Sequence, residues 1–450
     1  MLTVDVLSER RLVGTKPSPL SSTHKLGPLD ALVSTMVPIS VVYIYQHAID
    51  IDRLEGAVSV LLDHYPHLTG GLQVNPDTHE PSVGRLEDGM RFFTARASEN
   101  LDLPPNVVVT DLLKGGNLFL PPFDPSFERV TQDPVFGIQH TTFPDGSTTL
   151  GIRVHHIICD AAGFFQLVRD LSEIYDTGTL SQEPHCESYL AGVDLTDEER
   201  KEALAYDPPY HSLDAPPQSF AAPDDVVSGR VYHLTPSILN NLQKAASSAD
   251  LKATQWESLC ALLYQEIYRA RRQLGQVNAT HFLTSVNVRP SYRLNLPPRY
   301  FPNALHLPYL SLPPDDLASA PLPSVAAAMH ASFRSIDRDV SVKSTRWIAT
   351  VEDKSRIGGA YPWSKTGLMS SAWSGFDIYR GVEFGAAKGE KPILVAPPFT
   401  PISLMNGLYY TFSRRDDNGL TLVISLCENV WAELDKEASS SVGLRARRSL

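Results

Sequence analysis

The stretch Arg153-Val154-His155-His156-Ile157-Ile158-Cys159-Asp160-Ala161-Ala162-Gly163 constrains this chain more than any other. An apolar run ends in a histidine, and an aspartate follows four residues on. Small residues come next. Then Phe164, Leu167, Val168, Leu171, Ile174 and Tyr175 fall at helical spacing and define one buried face. A strand that turns into an amphipathic helix needs a sheet beside it and a layer to pack against. Adjacent strand residues point to opposite faces, so only one of His155 and His156 can face an open side. His156 is the candidate base and His155 the structural alternative. Imidazole is the side chain that takes and returns a proton near neutral pH. Alone, His-x-x-x-Asp is a weak signal, because two common residues at one spacing recur by chance.

The rest of the chain supports α/β layers. Residues 41–45 read as a strand and 52–65 as a helix with Leu54, Val58, Leu61 and Leu62 inward. Residues 135–141 and 148–155 form a hairpin joined at Pro144-Asp145-Gly146. In the second half, 230–234, 282–288 and 421–426 read as strands. Thr235 precedes Pro236 at a helix start. Thr254 with Glu257 makes a capping box for a helix reaching about Arg272. Residues 324–337 and 342–352 read as helices. Between the halves, 181–225 is rich in prolines and charges and reads as a connector.

With 450 residues, two domains of about 200 residues each are expected. A hydrophobic fraction of 42% supports sizeable cores. The net charge of -12 argues against a nucleic-acid partner. Cys159, Cys186, Cys260 and Cys427 are scattered, so neither a zinc site nor a disulfide framework is expected. Strand alternation turns Cys159 away from His156, and free cysteine usually behaves as a small buried hydrophobe. The N-terminal residues lack the pattern of a secretory signal. The longest apolar stretch, residues 33–45, is broken by Pro38 and too short to span a bilayer. A soluble cytoplasmic protein is the expectation. No phosphate-binding loop, dinucleotide fingerprint or His-Glu-x-x-His pair occurs.

The motif resembles the His-x-x-x-Asp-Gly region of the BAHD acyl-CoA-dependent acyltransferases. It is similar also to the His-His-x-x-x-Asp-Gly of peptide synthetase condensation domains. The BAHD resemblance runs along most of the chain. It includes Leu26-Gly27-Pro28-Leu29-Asp30, Tyr65-Pro66-His67-Leu68-Thr69-Gly70-Gly71-Leu72, Thr254-Gln255-Trp256-Glu257, Asn287-Val288-Arg289-Pro290, Tyr300-Phe301-Pro302-Asn303 and the closing segment from Met405. There are departures. Glu383-Phe384-Gly385-Ala386-Ala387 stands where the family has Asp-Phe-Gly-Trp-Gly. Ala161 and Pro302 replace glycines of the pattern.

The resemblance implies two chloramphenicol-acetyltransferase-like domains, at 1–180 and 226–450, with a channel between them. It also implies that a segment near 370–400 crosses to the first domain. It casts His156 as general base and Asp160 as the partner of Arg289. Ser371, Trp373 and Tyr43 would serve the oxyanion or the acceptor. Thr254, Ser285 and Asn303 would lie toward the coenzyme, whose diphosphate needs cations; Arg289, Arg293 and Arg299 could supply one or two of them. Acyl-CoA would be co-substrate to a monomer with no permanently bound cofactor and no metal, and a small, fairly apolar secondary metabolite the acceptor. Three alternatives remain: a condensation-type enzyme fed by a carrier protein, a cyclisation enzyme using the same histidine, and a non-catalytic binding protein.

Overall fold

The computed structural model describes all residues except 1, 21, 34–36, 105, 215–224, 278–280, 361–365, 386–389, 438–447 and 450. Two large mixed sheets organise it, each flanked by helices. In chain order their strands are β1 Val4–Leu12, β2 Pro38–Tyr45, β3 Met90–Ala97, β4 Phe136–Thr142, β5 Thr148–His155, β6 Val227–Leu234, β7 His281–Thr284, β8 Tyr309–Ser311, β9 Leu368–Ala372, β10 Leu394–Ala396, β11 Leu408–Ser413, β12 Leu420–Cys427 and β13 Arg448–Ser449. The first sheet runs β1-β3-β4-β5-β2-β10 and the second β8-β7-β9-β11-β12-β6-β13.

Strand β5 carries the motif and is buried along its whole length. It pairs antiparallel with β4 and with β2, placing Pro38 opposite His155. The turn at Pro144-Asp145-Gly146 closes the β4–β5 hairpin. Gly146 takes φ +85°, and Asp145 accepts the Ser147 N–H at 2.9 Å. On one face of β5 a short helical segment lies so close that a Cβ on Gly151 would collide with the Phe119 carbonyl oxygen. Helix α1, Ile51–His64, and helix α2, Ala161–Thr177, pack against each other and share one apolar core with the sheet.

Helix α2 follows from its own pattern. Asp160 caps its N-terminus, accepting the N–H groups of Ala162 and Gly163, and Gly178 ends it at φ +80°. Phe164, Phe165, Leu167, Val168, Leu171, Ile174 and Tyr175 are all buried. Each large apolar side chain contributes about 1.5–3 kcal/mol through burial.

The second half sends two segments onto the first. Strand β10 extends the first sheet, with Leu394 opposite Ile44 and Ala396 opposite Val42. Just upstream, the divergent Glu383-Phe384-Gly385 signature anchors to the same half. The Phe384 ring is fully buried against Tyr45 and Tyr175, and its N–H reaches Ser172 Oγ at 3.2 Å. Ala386 and Ala387 lie outside the described residues.

The second contact is a strip over residues 299–304 that runs antiparallel to α2. Ala304 donates its N–H to Asp160 Oδ2 at 2.9 Å. Gln166 donates to the Arg299 carbonyl at 3.2 Å, and Arg299 pairs with Asp170 at 2.5 Å. Between these points, Gly163 faces the Phe301 carbonyl so closely that a Cβ would overlap the oxygen.

The 181–225 stretch holds a helix over Asp197–Leu204 with a Thr196–Glu199 capping box, and a strand over His211–Leu213 paired with Ile357–Gly359. Residues 215–224 lie outside the described residues. The single strand expected over 282–288 divides at Ser285. There the chain leaves the large sheet, and Val286–Asn287 pairs with Leu305–His306.

Gly163→Ala tests the seam by sign. In an open helix the change stabilises by up to about 1 kcal/mol. Here the methyl meets backbone, so we expect a loss of about 1–3 kcal/mol in urea unfolding. A stability gain would mean that the strip does not pack on α2 in this way.

Candidate active site

The turn after β5 is pinned at successive peptides. His155 donates its N–H to the Val135 carbonyl at 2.8 Å and His156 to the Val37 carbonyl at 3.0 Å. Ile158 N–H returns to the His155 carbonyl at 3.0 Å. The His155 ring is buried, and its Nδ1 accepts the Ile157 N–H at 3.3 Å. His155 therefore holds the turn, as alternation allows. His156 keeps part of its surface open, while its Nδ1 edge is buried with no hydrogen-bond partner. Burial pushes its pKa below the usual value of 6.5. Carbonyls of the turn, the Asp160 charge and the Asn303 side chain work against that drop. The imidazole is thus neutral at neutral pH and able to accept a proton.

Asp160 is committed elsewhere. Its side chain is 2% exposed and forms a bidentate pair with Arg289, with contacts of 2.8 and 2.9 Å. The same carboxylate accepts N–H groups from Ala162, Gly163 and Ala304. Arg289 spends its other donors on the Tyr300 carbonyl at 3.0 Å, the Pro302 carbonyl at 2.6 Å and Asn287 Oδ1 at 3.3 Å. Neither Asp160 oxygen bonds the His156 ring among the described residues.

A second carboxylate lies below the turn. Asp30 is 1% exposed. It accepts the Gly27 N–H at 2.8 Å, the Ser188 hydroxyl at 2.6 Å, and the backbone N–H and side-chain amide of Asn303 at 3.0 and 2.9 Å. Burial pushes its pKa up to about 6 despite these donors. The Asn303 amide also donates to the His156 carbonyl at 3.0 Å. Asp30 was legible only as one letter of a matched segment. The clue was an acid set among Leu26, Gly27 and Leu29.

Of the remaining candidates, Asn303 meets the histidine turn. Asn303, expected toward the coenzyme, is buried and holds the His156 peptide. Thr254 caps the helix Gln255–Gln273 in a full capping box with Glu257. Ser285 is partly exposed where its strand divides. Tyr43 lies in the core of β2, five positions from Pro38 and so about 17 Å along the strand from the histidine level. Ser371 is partly exposed on β9. Trp373, just beyond, is buried edge-on against Phe165 of α2, with centroids 5.3 Å apart. The expected diphosphate cations are already used. Arg289 holds Asp160, Arg299 holds Asp170, and Arg293 donates to the Ile336 and Asn287 carbonyls. A pocket between the large sheets, lined by Val108, Val231, Tyr379, Leu394, Phe412 and Arg414, does not include His156. Cys159 is fully buried, which raises its thiol pKa and leaves no thiolate for attack. No helix among the described residues is long and apolar enough to cross a membrane.

Breaking the Asp160–Arg289 pair should cost folding. Asp160→Ala strands a guanidinium, and Arg289→Ala strands a carboxylate. Each should lose about 3–5 kcal/mol in urea unfolding, and the double variant less than the sum. An Asp160→Ala protein of unchanged melting temperature would contradict this.

Comparison with known proteins agrees with this architecture. The model of the Transferase family matches residues 2–440. Anthranilate N-benzoyltransferase protein 1 of Dianthus caryophyllus is 24% identical over 83% of this chain and 82% of its own length. The acyltransferase GLAUCE of Arabidopsis thaliana is 24% identical over 57% of this chain, which spans 58% of that protein. Among solved structures, vinorine synthase superposes with a TM-score of 0.72 at 19% identity, covering 98% of this chain and 99% of that one. TRI101 of F. graminearum, complexed with coenzyme A and T-2 mycotoxin, gives 0.70 at 17% identity over 93% and 98%. At these identities the structures establish the shared fold, and the family match adds the activity class. The chain belongs to the Transferase family, the BAHD acyl-CoA-dependent acyltransferases.

Proposed function

We propose that this enzyme moves a small acyl group, acetyl in the simplest case, from acyl-CoA to a hydroxyl of a small, fairly apolar secondary metabolite. His156 is the general base. It takes the hydroxyl proton as the oxygen attacks the thioester carbonyl, and it returns that proton to the departing thiolate of coenzyme A. Both substrates are bound together, and no acyl-enzyme forms. The observation that carries this reading is the partly open, neutral imidazole on a rigid turn whose carboxylate is fully engaged with Arg289. The buried, protonated Cys159 thiol speaks against a covalent route. TRI101 offers a parallel, being solved with coenzyme A and a mycotoxin together. Ser371 is our choice for a hydroxyl donor toward the reacting oxygens. It is partly exposed and two residues from Trp373, which packs on α2.

The test is turnover of acetyl-CoA against a panel of alcohols, with products weighed by mass spectrometry. His156→Ala should lose about 10²–10⁴ in kcat, and products should carry the added acyl mass. Wild-type turnover in His156→Ala would overturn the assignment. A product of unchanged mass would point to cyclisation.

The pH profile follows from the lowered pKa. A histidine held neutral by burial protonates only below about 6.5, so the acid limb of kcat/KM should fall below that pH. In stability the sign is the same. The unfolded chain takes up the proton first, so the contribution of His156 is present above about 6.5 and is lost as pH falls. An acid limb at or above 7 would contradict the burial.

A further inference from the structure

We propose that Asp30 is a positioning residue for His156, acting through Asn303. The proposal rests on the reading of His156 as base and adds how that base is aimed. Asp30 lies 273 residues from Asn303 in sequence, yet one of its oxygens accepts both donors of that residue, the backbone N–H and the Nδ2 group. The other oxygen is fixed by the Gly27 N–H and the Ser188 hydroxyl. The carboxylate cannot turn without breaking contacts on both sides.

Its grip settles which way the amide lies. Nδ2 carries two hydrogens. One goes to Asp30 and the other to the His156 carbonyl. A flipped amide would set its oxygen against the Asp30 carboxylate and the His156 carbonyl, with acceptors facing acceptors. The Asn303 oxygen is therefore held on the remaining side. It is buried and without a partner, as is Nδ1 of His156. The Asn303 side chain works against the burial-driven drop in the His156 pKa and so favours the protonated ring. That is what a base needs as it gains a proton in the transition state. The carboxylate thus acts at one remove. It orients the amide, and the amide fixes the His156 peptide. A displacement of about 1 Å in such an arrangement costs up to about 10² in rate.

The rival is a purely structural role, in which Asp30 only ties the 26–30 segment to its surroundings. Steady-state kinetics with acetyl-CoA and the alcohol that the wild type acylates separate the two. Asp30→Asn and Asn303→Ala should each lower kcat about 10–10²-fold, with KM for both substrates within about threefold. Their double variant should lose no more than the worse single one. Val351→Ala removes apolar bulk from the core cluster that contains Leu29, and it should lower the melting temperature while leaving kcat unchanged. Without any acceptor, the ring ¹⁵N shifts of His156 should move in Asp30→Asn and stay put in Val351→Ala. Wild-type kcat and unmoved shifts in a folded Asp30→Asn would overturn the proposal. Should the Asp30 variant not fold, Asn303→Ala gives the same two readouts, and wild-type values in both would overturn the proposal equally. Failure of the base reading looks different, since His156→Ala would then turn over like wild type.

Discussion

The bidentate Asp160–Arg289 pair is the contact on which the rest of the site depends. One carboxylate does three things at once. It caps the helix that follows the motif, it neutralises a guanidinium from the second half, and it receives the N–H of Ala304. Charge-assisted, two-pronged bonds of this kind fix direction as well as distance. Taking either partner out of water is costly, so the pair favours a single arrangement of the two halves over any in which one ion is left alone. The turn bearing His156 lies between the strand and this cap, and it inherits their rigidity.

From that node the seam extends in both directions. Along α2, the strip over residues 299–304 is held at Gly163, Gln166 and Asp170. Toward the N-terminus, Asn303 passes the connection to Asp30 and to the His156 peptide. Strand β10 and the Phe384 anchor tie the halves at a separate place on the first sheet. Burial then gives the imidazole its chemistry. The same packing that orders the turn disfavours the imidazolium, and so keeps the ring neutral at neutral pH.

Local pattern made some of this readable. Helix α2 was evident because six apolar residues repeat on one face and small residues precede them. The hairpin before it was evident because Pro144-Asp145-Gly146 is turn chemistry between alternating strands. The α/β class followed from the same periodicities. Contacts across the chain were not readable from spacing. Arg289 is 129 residues from Asp160, and only a family likeness joined them. Arg293 and Arg299 looked free because sequence does not reveal which carbonyls and carboxylates fold back onto a cation. The partner of Asn303 was hidden for the same reason, since Asp30 lies near the other end of the chain. The helix Asp197–Leu204 was hidden by surrounding prolines, although Thr196 and Glu199 signal its start.

Native-state hydrogen exchange tests the claim that the seam and the turn form one unit. The amides of Ile158, Gly163, Ala304 and Asn303 sit on three parts of it: the turn, the helix and, for the last two, the strip. If the account is right, they exchange with one common opening free energy and one common denaturant dependence. If Ile158 and Gly163 stay protected while Asn303 and Ala304 open independently at much lower cost, the second half does not hold the histidine turn, and the account fails.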